Sequence, residues 1–203
     1  MTNKGLIKKL ILSGVLKTPS IIEAFKKIDR RNFVLEQFQK EAYNDFPLPI
    51  GKGQTISQPT TVAFMLELLE AKQGDKILDV GAGSGWTAAL LASIVGAKGQ
   101  VLTAEIIPEL VKLGQSNISK YDFKQLKIVK SDKSFKNANG MQYDRILVSA
   151  AAEKVPQAIA EKLKITGRLV IPVKNSILKI DKGKNSRVEC EEFAGFVFVP
   201  LKH

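Results

Sequence analysis

Apolar and polar positions alternate along this chain in two periods. From residue 1 to 45 the period is helical. Leu6, Ile7, Leu10 and Ile11 form one stripe, and Ile21, Ile22, Phe25 and Ile28 form a second behind the helix-start signal Thr18-Pro19-Ser20. A proline- and glycine-punctuated stretch, 43–59, then reads as a loop, long enough to suggest more than a connector, before a helix over 60–69. Ser57 stands where it could cap that helix, with Pro59 in its first turn. Beyond residue 75 short apolar runs alternate with helix-period segments. The spacing predicts strands at 76–80, 100–105, 126–131, 145–150 and 167–173. It predicts helices at 86–95, 108–120 and 153–163, with a shorter polar segment near 133–141. Such alternation implies an α/β fold with a doubly wound, mostly parallel sheet. Further runs at 177–181, 187–193 and 195–201, the first two joined by a turn at 182–185, add antiparallel strands at the end.

Ligands in such sheets sit at the carboxyl ends of the strands, which directs attention to Lys76–Trp86, KILDVGAGSGW. A strand run ends in Asp79-Val80 and opens into Gly81, Gly83 and Gly85, followed by an Ala/Leu-rich helical segment. The spacing G-x-G-x-G lacks the Lys-Ser/Thr of a phosphate-binding loop and the G-x-G-x-x-G of dinucleotide sites. A carboxylate at Asp79 would repel a pyrophosphate and suit a cationic amine. Glu105 closes the next strand about twenty residues on, where a carboxylate accepts both hydroxyls of a ribose. A nucleoside joined to an amino-acid cation, without phosphate, is S-adenosylmethionine. Asp132 follows the third strand, either as an adenine contact or as a turn aspartate.

Composition narrows the chemistry. The only histidine is His203 and the only cysteine Cys190, which argues against His-based triads, disulfides and Cys- or His-ligated metals, so no metal is expected. Cys190 reads as a small buried apolar residue. The net charge is +11, but the lysines are scattered in blocks no longer than two, which favours a solvated surface over a nucleic-acid face. No apolar run reaches membrane-span length, and the lysine-interrupted N-terminus reads as an amphipathic helix and not an export signal. A cytoplasmic protein is expected.

The segments PLPIGKGQTISQP (47–59), LDVGAGSGW (78–86), AEIIPEL (104–110), YDRILVSAAAEKVP (143–156) and GRLVIPV (167–173) together resemble the protein-L-isoaspartate (D-aspartate) O-methyltransferases, in the same order and over nearly the whole chain. The resemblance implies a Rossmann-like S-adenosylmethionine-dependent methyltransferase fold and a single domain, 1–203. Residues 1–70 would supply N-terminal helices and an active-site loop, and 71–203 the cofactor-binding core. It implies methyl transfer to the free carboxylate of L-isoaspartyl residues in damaged proteins, with D-aspartyl residues a second class of acceptor. The ester then leads to repair through a succinimide. Ser57 would be the catalytic hydroxyl beside the reacting carboxylate. Asp79, Gly81, Ala82, Gly83 and Gly85 would line the methionine end. Glu105 and Ile106 would meet the ribose, Asp132 and Lys133 the adenine, and Thr55 and Ile56 complete the cofactor set. Ala150, Ala151 and Val173, after Ser149, would border the peptide. The expected partners are isoaspartyl peptides and proteins, met by a monomer.

The chain departs from the family pattern at several points. Ser131-Asp132-Lys133 stands for Gly-Asp-Gly, Glu153 for a proline, Lys174 for a glycine and Ile165-Thr166-Gly167 for Pro-Gly-Gly. Several of these are expected around the peptide side. Two other readings stay open at this point. One is a methyltransferase for another acceptor, a dedicated peptide or RNA; the other is a cofactor-binding protein without turnover.

Overall fold

The computed structural model describes residues 1–131 and 140–201. The chain runs α1 (Asn3–Leu12), α2 (Pro19–Lys27), β1 (Leu48–Gly51), β2 (Gln54–Ile56), α3 (Pro59–Leu69), β3 (Lys76–Val80), α4 (Trp86–Val95), β4 (Gln100–Glu105), α5 (Pro108–Ile118), β5 (Leu126–Lys130), β6 (Tyr143–Val148), α6 (Gln157–Ala160), β7 (Leu163–Val173), β8 (Ser176–Lys182) and β9 (Val188–Ala194). Seven strands form one sheet in the order β5-β4-β3-β6-β7-β8-β9, while β1 and β2 make a separate hairpin. The pairings from β5 to β7 are parallel, and β8 and β9 join antiparallel.

The strand order follows from where the apolar residues lie. Ile77, Leu78 and Val80 of β3 are buried, as a strand covered on both faces requires. From β3 the chain winds outward through β4 and β5, then crosses back to β6 on β3's other side. The carboxyl end of β3 is therefore the topological switch point, the place where open α/β sheets bind ligands. On one face α4, apolar over nearly its whole circumference, packs against β3, β4 and β5, and α2 covers α4 in turn. One continuous core runs from Leu6 to Ile177 and includes Phe25 edge-on against Trp86, the first residue of α4.

Four expectations need correction. The 43–59 stretch is not wholly irregular, since it contains the β1–β2 hairpin, with Leu48 paired to Ile56. The helix expected over 153–163 is a single turn, Gln157–Ala160, and β7 already begins at Leu163. Val155, Ile159 and Leu163 all face one apolar cluster at intervals of four, which imitates a helix stripe even though Leu163 is in a strand. The run 195–201 is not a strand either. Gly195, at φ 94, turns the chain off the sheet, and Pro200 then forms only an isolated bridge with Ala151. Cys190 is exposed and not buried, because β9 is the edge strand and is exposed along almost all its length.

Candidate active site

β3 delivers the chain to its turn at Gly81, and the backbone then adopts positive φ at Gly81, Gly83 and Gly85 (93, 52 and 87°). Space as well as torsion demands glycine at the last of these. A Cβ on Gly85 would lie 3.2 Å from both the Gly114 carbonyl and Ile118 Cγ2, so α5 approaches the turn backbone to backbone. The buried Asn117 side chain fixes that approach by donating from Nδ2 to the Ser84 carbonyl at 3.0 Å. The turn is thus rigid on its α5 side. On its other side lies the hairpin: Ile50 Cδ1 is 3.1 Å from where a Gly83 Cβ would be.

Two carboxylates meet this turn. Asp79 is fully buried, and neither of its oxygens has a hydrogen-bond partner. Thr103 faces it across the β3–β4 ladder, and its hydroxyl is likewise unpartnered. Burial pushes the Asp79 carboxyl up to about 8. The nearby Thr103 hydroxyl opposes the rise without reaching hydrogen-bond alignment, and the charge of Glu105 adds to it. A buried carboxyl with both oxygens idle is costly unless a ligand's donor reaches it. Glu105 is in the opposite condition. Its Oε1 accepts from the Ile106 and Ile107 amides at 2.8 and 2.9 Å, and its Oε2 from the Gly83 amide at 3.0 Å. These bonds tie the glycine turn to the start of α5. They use three of the roughly four acceptor positions a carboxylate offers and leave one for a ligand.

The side of the turn expected to face the peptide is built from segments distant in sequence. Ser57 is half-buried at the end of the hairpin, and its hydroxyl does not cap α3. That task falls to Asp45, which accepts from the Thr60 amide at 2.9 Å and the Thr60 hydroxyl at 2.6 Å. The strand end at Ala150–Ala152 is held on both sides. The Ala151 amide donates to the Val199 carbonyl and its carbonyl accepts from the Leu201 amide, while the Lys174 amide donates to the Ala152 carbonyl. Over the glycine turn, Lys52 at the hairpin tip pairs with Glu109 of α5 at 2.6 Å.

The family model for protein-L-isoaspartate(D-aspartate) O-methyltransferase matches residues 1–203. The chain belongs to that family. It is 40% identical over 203 residues to the protein-L-isoaspartate O-methyltransferase of Ignicoccus hospitalis, covering 98% of this chain and 96% of the other. Over 201 residues it is 39% identical to that of Methanopyrus kandleri, covering 97% and 89%. A Plasmodium falciparum structure described as a protein-L-isoaspartate O-methyltransferase in complex with S-adenosyl-L-homocysteine shares the fold. Its TM-score is 0.87 at 24% identity, over 100% of this chain and 99% of that one.

Within this member of the isoaspartate methyltransferase family, β3, β4 and the turn bring together Asp79, Gly81, Ala82, Gly83, Gly85, Glu105 and Ile106, and the hairpin carries Thr55, Ile56 and Ser57 beside them. Ala150, Ala151 and Val173 lie at neighbouring strand ends, linked through the Ala152–Val173 bridge. Asp132 and Lys133 lie outside the described residues. Three contributors escaped sequence reasoning: Arg30, Asp45 and the 199–201 segment. None has a local pattern that announces it.

Proposed function

We propose that this chain transfers a methyl group from S-adenosylmethionine to the free carboxylate of L-isoaspartyl residues in damaged proteins. The observation that carries the reading is the buried, unpartnered carboxyl of Asp79 beneath a glycine turn whose next strand ends in Glu105. That pair fits a ligand with an amino-acid cation at one end and a ribose at the other, and the absence of a phosphate cradle fits a nucleoside without phosphates. When bound, S-adenosylmethionine supplies an electrophilic methyl group, leaving S-adenosylhomocysteine once the methyl has gone to the acceptor oxygen.

The residues have modest work to do. An isoaspartyl carboxylate, with a pKa of about 4, is already ionised at neutral pH, so the acceptor needs no general base. This agrees with a chain whose one histidine is its last residue. Ser57 would donate its hydroxyl proton to one carboxylate oxygen and so aim the other. Ile56, buried, and Ile50, packed near Gly83, exclude water from the approach. Holding two reactants in line can lower a barrier by roughly 7–11 kcal/mol, enough to make positioning the main contribution. In the resulting methyl ester the following backbone amide nitrogen attacks the ester carbonyl, closing a succinimide and expelling methanol, and hydrolysis of that ring returns part of the damage to normal aspartate.

We also propose that 1–203 acts as one domain and as a monomer in the cytoplasm. Residues 1–70 would supply the helices and active-site loop, and 71–203 the cofactor core. The core shared between α1, α2 and α4 supports the first part. Among the described residues no helix is long and apolar enough to cross a membrane.

The test is transfer of labelled methyl to a short isoaspartyl peptide, beside its aspartyl twin, a D-aspartyl version and bulk RNA. Base-labile label on the isoaspartyl peptide and none on its twin is the expected result. Label on RNA alone, or cofactor binding with no label on any peptide, would overturn the proposal.

A further inference from the structure

We infer that Arg30 is a positioning residue for methyl transfer: its guanidinium holds the loop that carries Ser57 and sets it against the glycine turn. The inference rests on the reading of Ser57 proposed above, and its observations are independent of it. Arg30 is fully buried at the start of a single 3-10 turn, Arg30–Phe33, and ion-pairs with no carboxylate among the described residues. Its donors go to carbonyl oxygens. Nη1 donates to Ala42 at 2.7 Å and Asn44 at 3.3 Å, and Nη2 to Phe46 at 3.1 Å and Ser57 at 3.1 Å. Its Nε has no partner, and the guanidinium lies 5.3 Å from the ring centre of Trp86, the residue after Gly85.

One planar cation therefore gathers both ends of the segment 42–57 and rests on the residue that begins α4. Only a guanidinium can do this, because the four acceptors need two forked nitrogens held in one plane while the face stays free for an indole. Burial lowers its pKa to about 10, with the charge of Asp45 opposing, so it remains protonated at neutral pH. Neighbouring contacts act in the same sense. Asp29, just before it, accepts from the Tyr43 hydroxyl at 3.0 Å, and Asp45 caps α3 three residues beyond Ser57. Ser57 is thereby fixed from its carbonyl on one side and from the helix start on the other. The bond to Ser57 is the one that reaches the far end of the loop, since Ala42, Asn44 and Phe46 all lie in its N-terminal half. A displacement near 1 Å at a reacting group can cost about 100-fold in rate, so the bond to Ser57 matters.

The experiment uses the full chain with Arg30→Met, Arg30→Lys and Arg30→Ala. It measures kcat and KM on the isoaspartyl peptide, S-adenosylhomocysteine affinity by calorimetry, and amide hydrogen exchange across 43–58. For Arg30→Met, kcat/KM should fall about 100-fold while S-adenosylhomocysteine affinity stays within about threefold. Exchange should quicken across 43–58 and not in β3 or β4. Arg30→Lys, which keeps charge but not the fork, should recover no more than roughly a tenth of the loss. Added methylguanidinium should restore part of the activity of Arg30→Ala. If Arg30→Met does not fold, the lysine variant and guanidinium rescue carry the same test. Unchanged kcat/KM, or equal losses of activity and cofactor affinity without faster exchange at 43–58, would overturn the inference. Wild-type protein inactive on every peptide would instead defeat the proposed function, and the exchange measurement would still decide whether Arg30 holds this loop.

Discussion

Asp79→Asn separates what this carboxyl does for the ligand from what it does to the fold. In the unfolded chain the group ionises near its ordinary 3.8; in the folded protein burial raises this to about 8. Below the unfolded value both states hold the proton and stability is full. Between about pH 4 and pH 8 the unfolded chain has released its proton and the folded one has not. Stability therefore falls by about 1.4 kcal/mol per pH unit, to a total on the order of 5 kcal/mol above pH 8. An asparagine does not titrate, so the variant lacks this slope. The unliganded variant should match or exceed the wild type at pH 5, and its lead should widen by roughly 3–6 °C in Tm per pH unit up to pH 7. Ligand affinity should move the other way. Binding an ammonium group beside Asp79 expels its proton, so S-adenosylhomocysteine should bind the wild type more tightly as pH rises towards 8 and the variant weakly throughout. Thermal melts at pH 5, 6 and 7, with calorimetry in two buffers of different ionisation enthalpy, read both effects. Equal pH slopes in the two proteins, or equal ligand affinity, would refute the reasoning.

Other expectations follow from named contacts. Ser57→Ala should lower kcat by at least about tenfold and leave S-adenosylhomocysteine affinity nearly unchanged, since its hydroxyl is assigned to the peptide; undiminished kcat refutes that role. Gly85→Ala, at φ 87 with a Cβ 3.2 Å from the Gly114 carbonyl, should destabilise by at least about 1–3 kcal/mol and weaken cofactor binding, as denaturant unfolding and calorimetry would read. Lys52→Glu should open the hairpin from α5 and speed cofactor release, an effect that added salt should mimic in the wild type, because the pair with Glu109 is half-exposed. Thr166→Gly should raise stability by roughly 1 kcal/mol, because a β-branched residue there is held at φ 67, and peptide methylation should not change.

The parallel core was legible because each of its elements is specified locally. β3, β4 and α4 announce themselves through apolar runs with a glycine at one boundary (Gly81 after β3, Gly99 before β4, Gly96 after α4), and their observed spans, 76–80, 100–105 and 86–95, coincide with the periodic segments. Asp79 and Glu105 were legible for the same reason, since a carboxylate at a strand end has its position fixed by the strand. The role of Glu105 was only half visible. No spacing rule says that it already binds three backbone amides, of which Gly83 lies 22 residues earlier. What escaped were features created by the meeting of distant segments. Arg30 reads as one of a basic pair in a polar turn until the carbonyls of 42–57 arrive around it. Asp45 reads as a loop residue until α3 begins 15 residues later on its carboxylate. Ser57 was legible as an isolated hydroxyl, but the capping it suggested belongs to Asp45.

The departures from the family pattern acquire a different meaning once the backbone is known. Besides Ser131 and Lys133, two positions carry side chains where the family has glycine, and at both the backbone is left-handed: φ is 67° at Thr166 and 53° at Lys174. The turn demands a left-handed residue whatever occupies it. At Lys174 the demand comes from the two-residue link between β7 and β8, closed by the pairing of Val173 with Ser176. These substitutions therefore act first as backbone strain and only second as changes of chemistry. Their positions also differ. Residues 165–167 precede Arg168, which pairs with Arg145 near the beginning of β6, whereas the candidate site lies beyond Val148 at the other end of that strand. At about 3.3 Å per residue, the six residues from Gly167 to Val173 span roughly 20 Å, so this departure lies far from the candidate site and is not among those at its rim. Lys174 and Glu153 do flank the strand ends, where the Lys174 amide holds the Ala152 carbonyl at 2.9 Å and Glu153 is exposed. Between them they set one positive and one negative charge beside Ala151 and Val173. Peptide preference in this family member should accordingly respond to charge reversal at Glu153 or Lys174, while any change at Thr166 registers as stability alone.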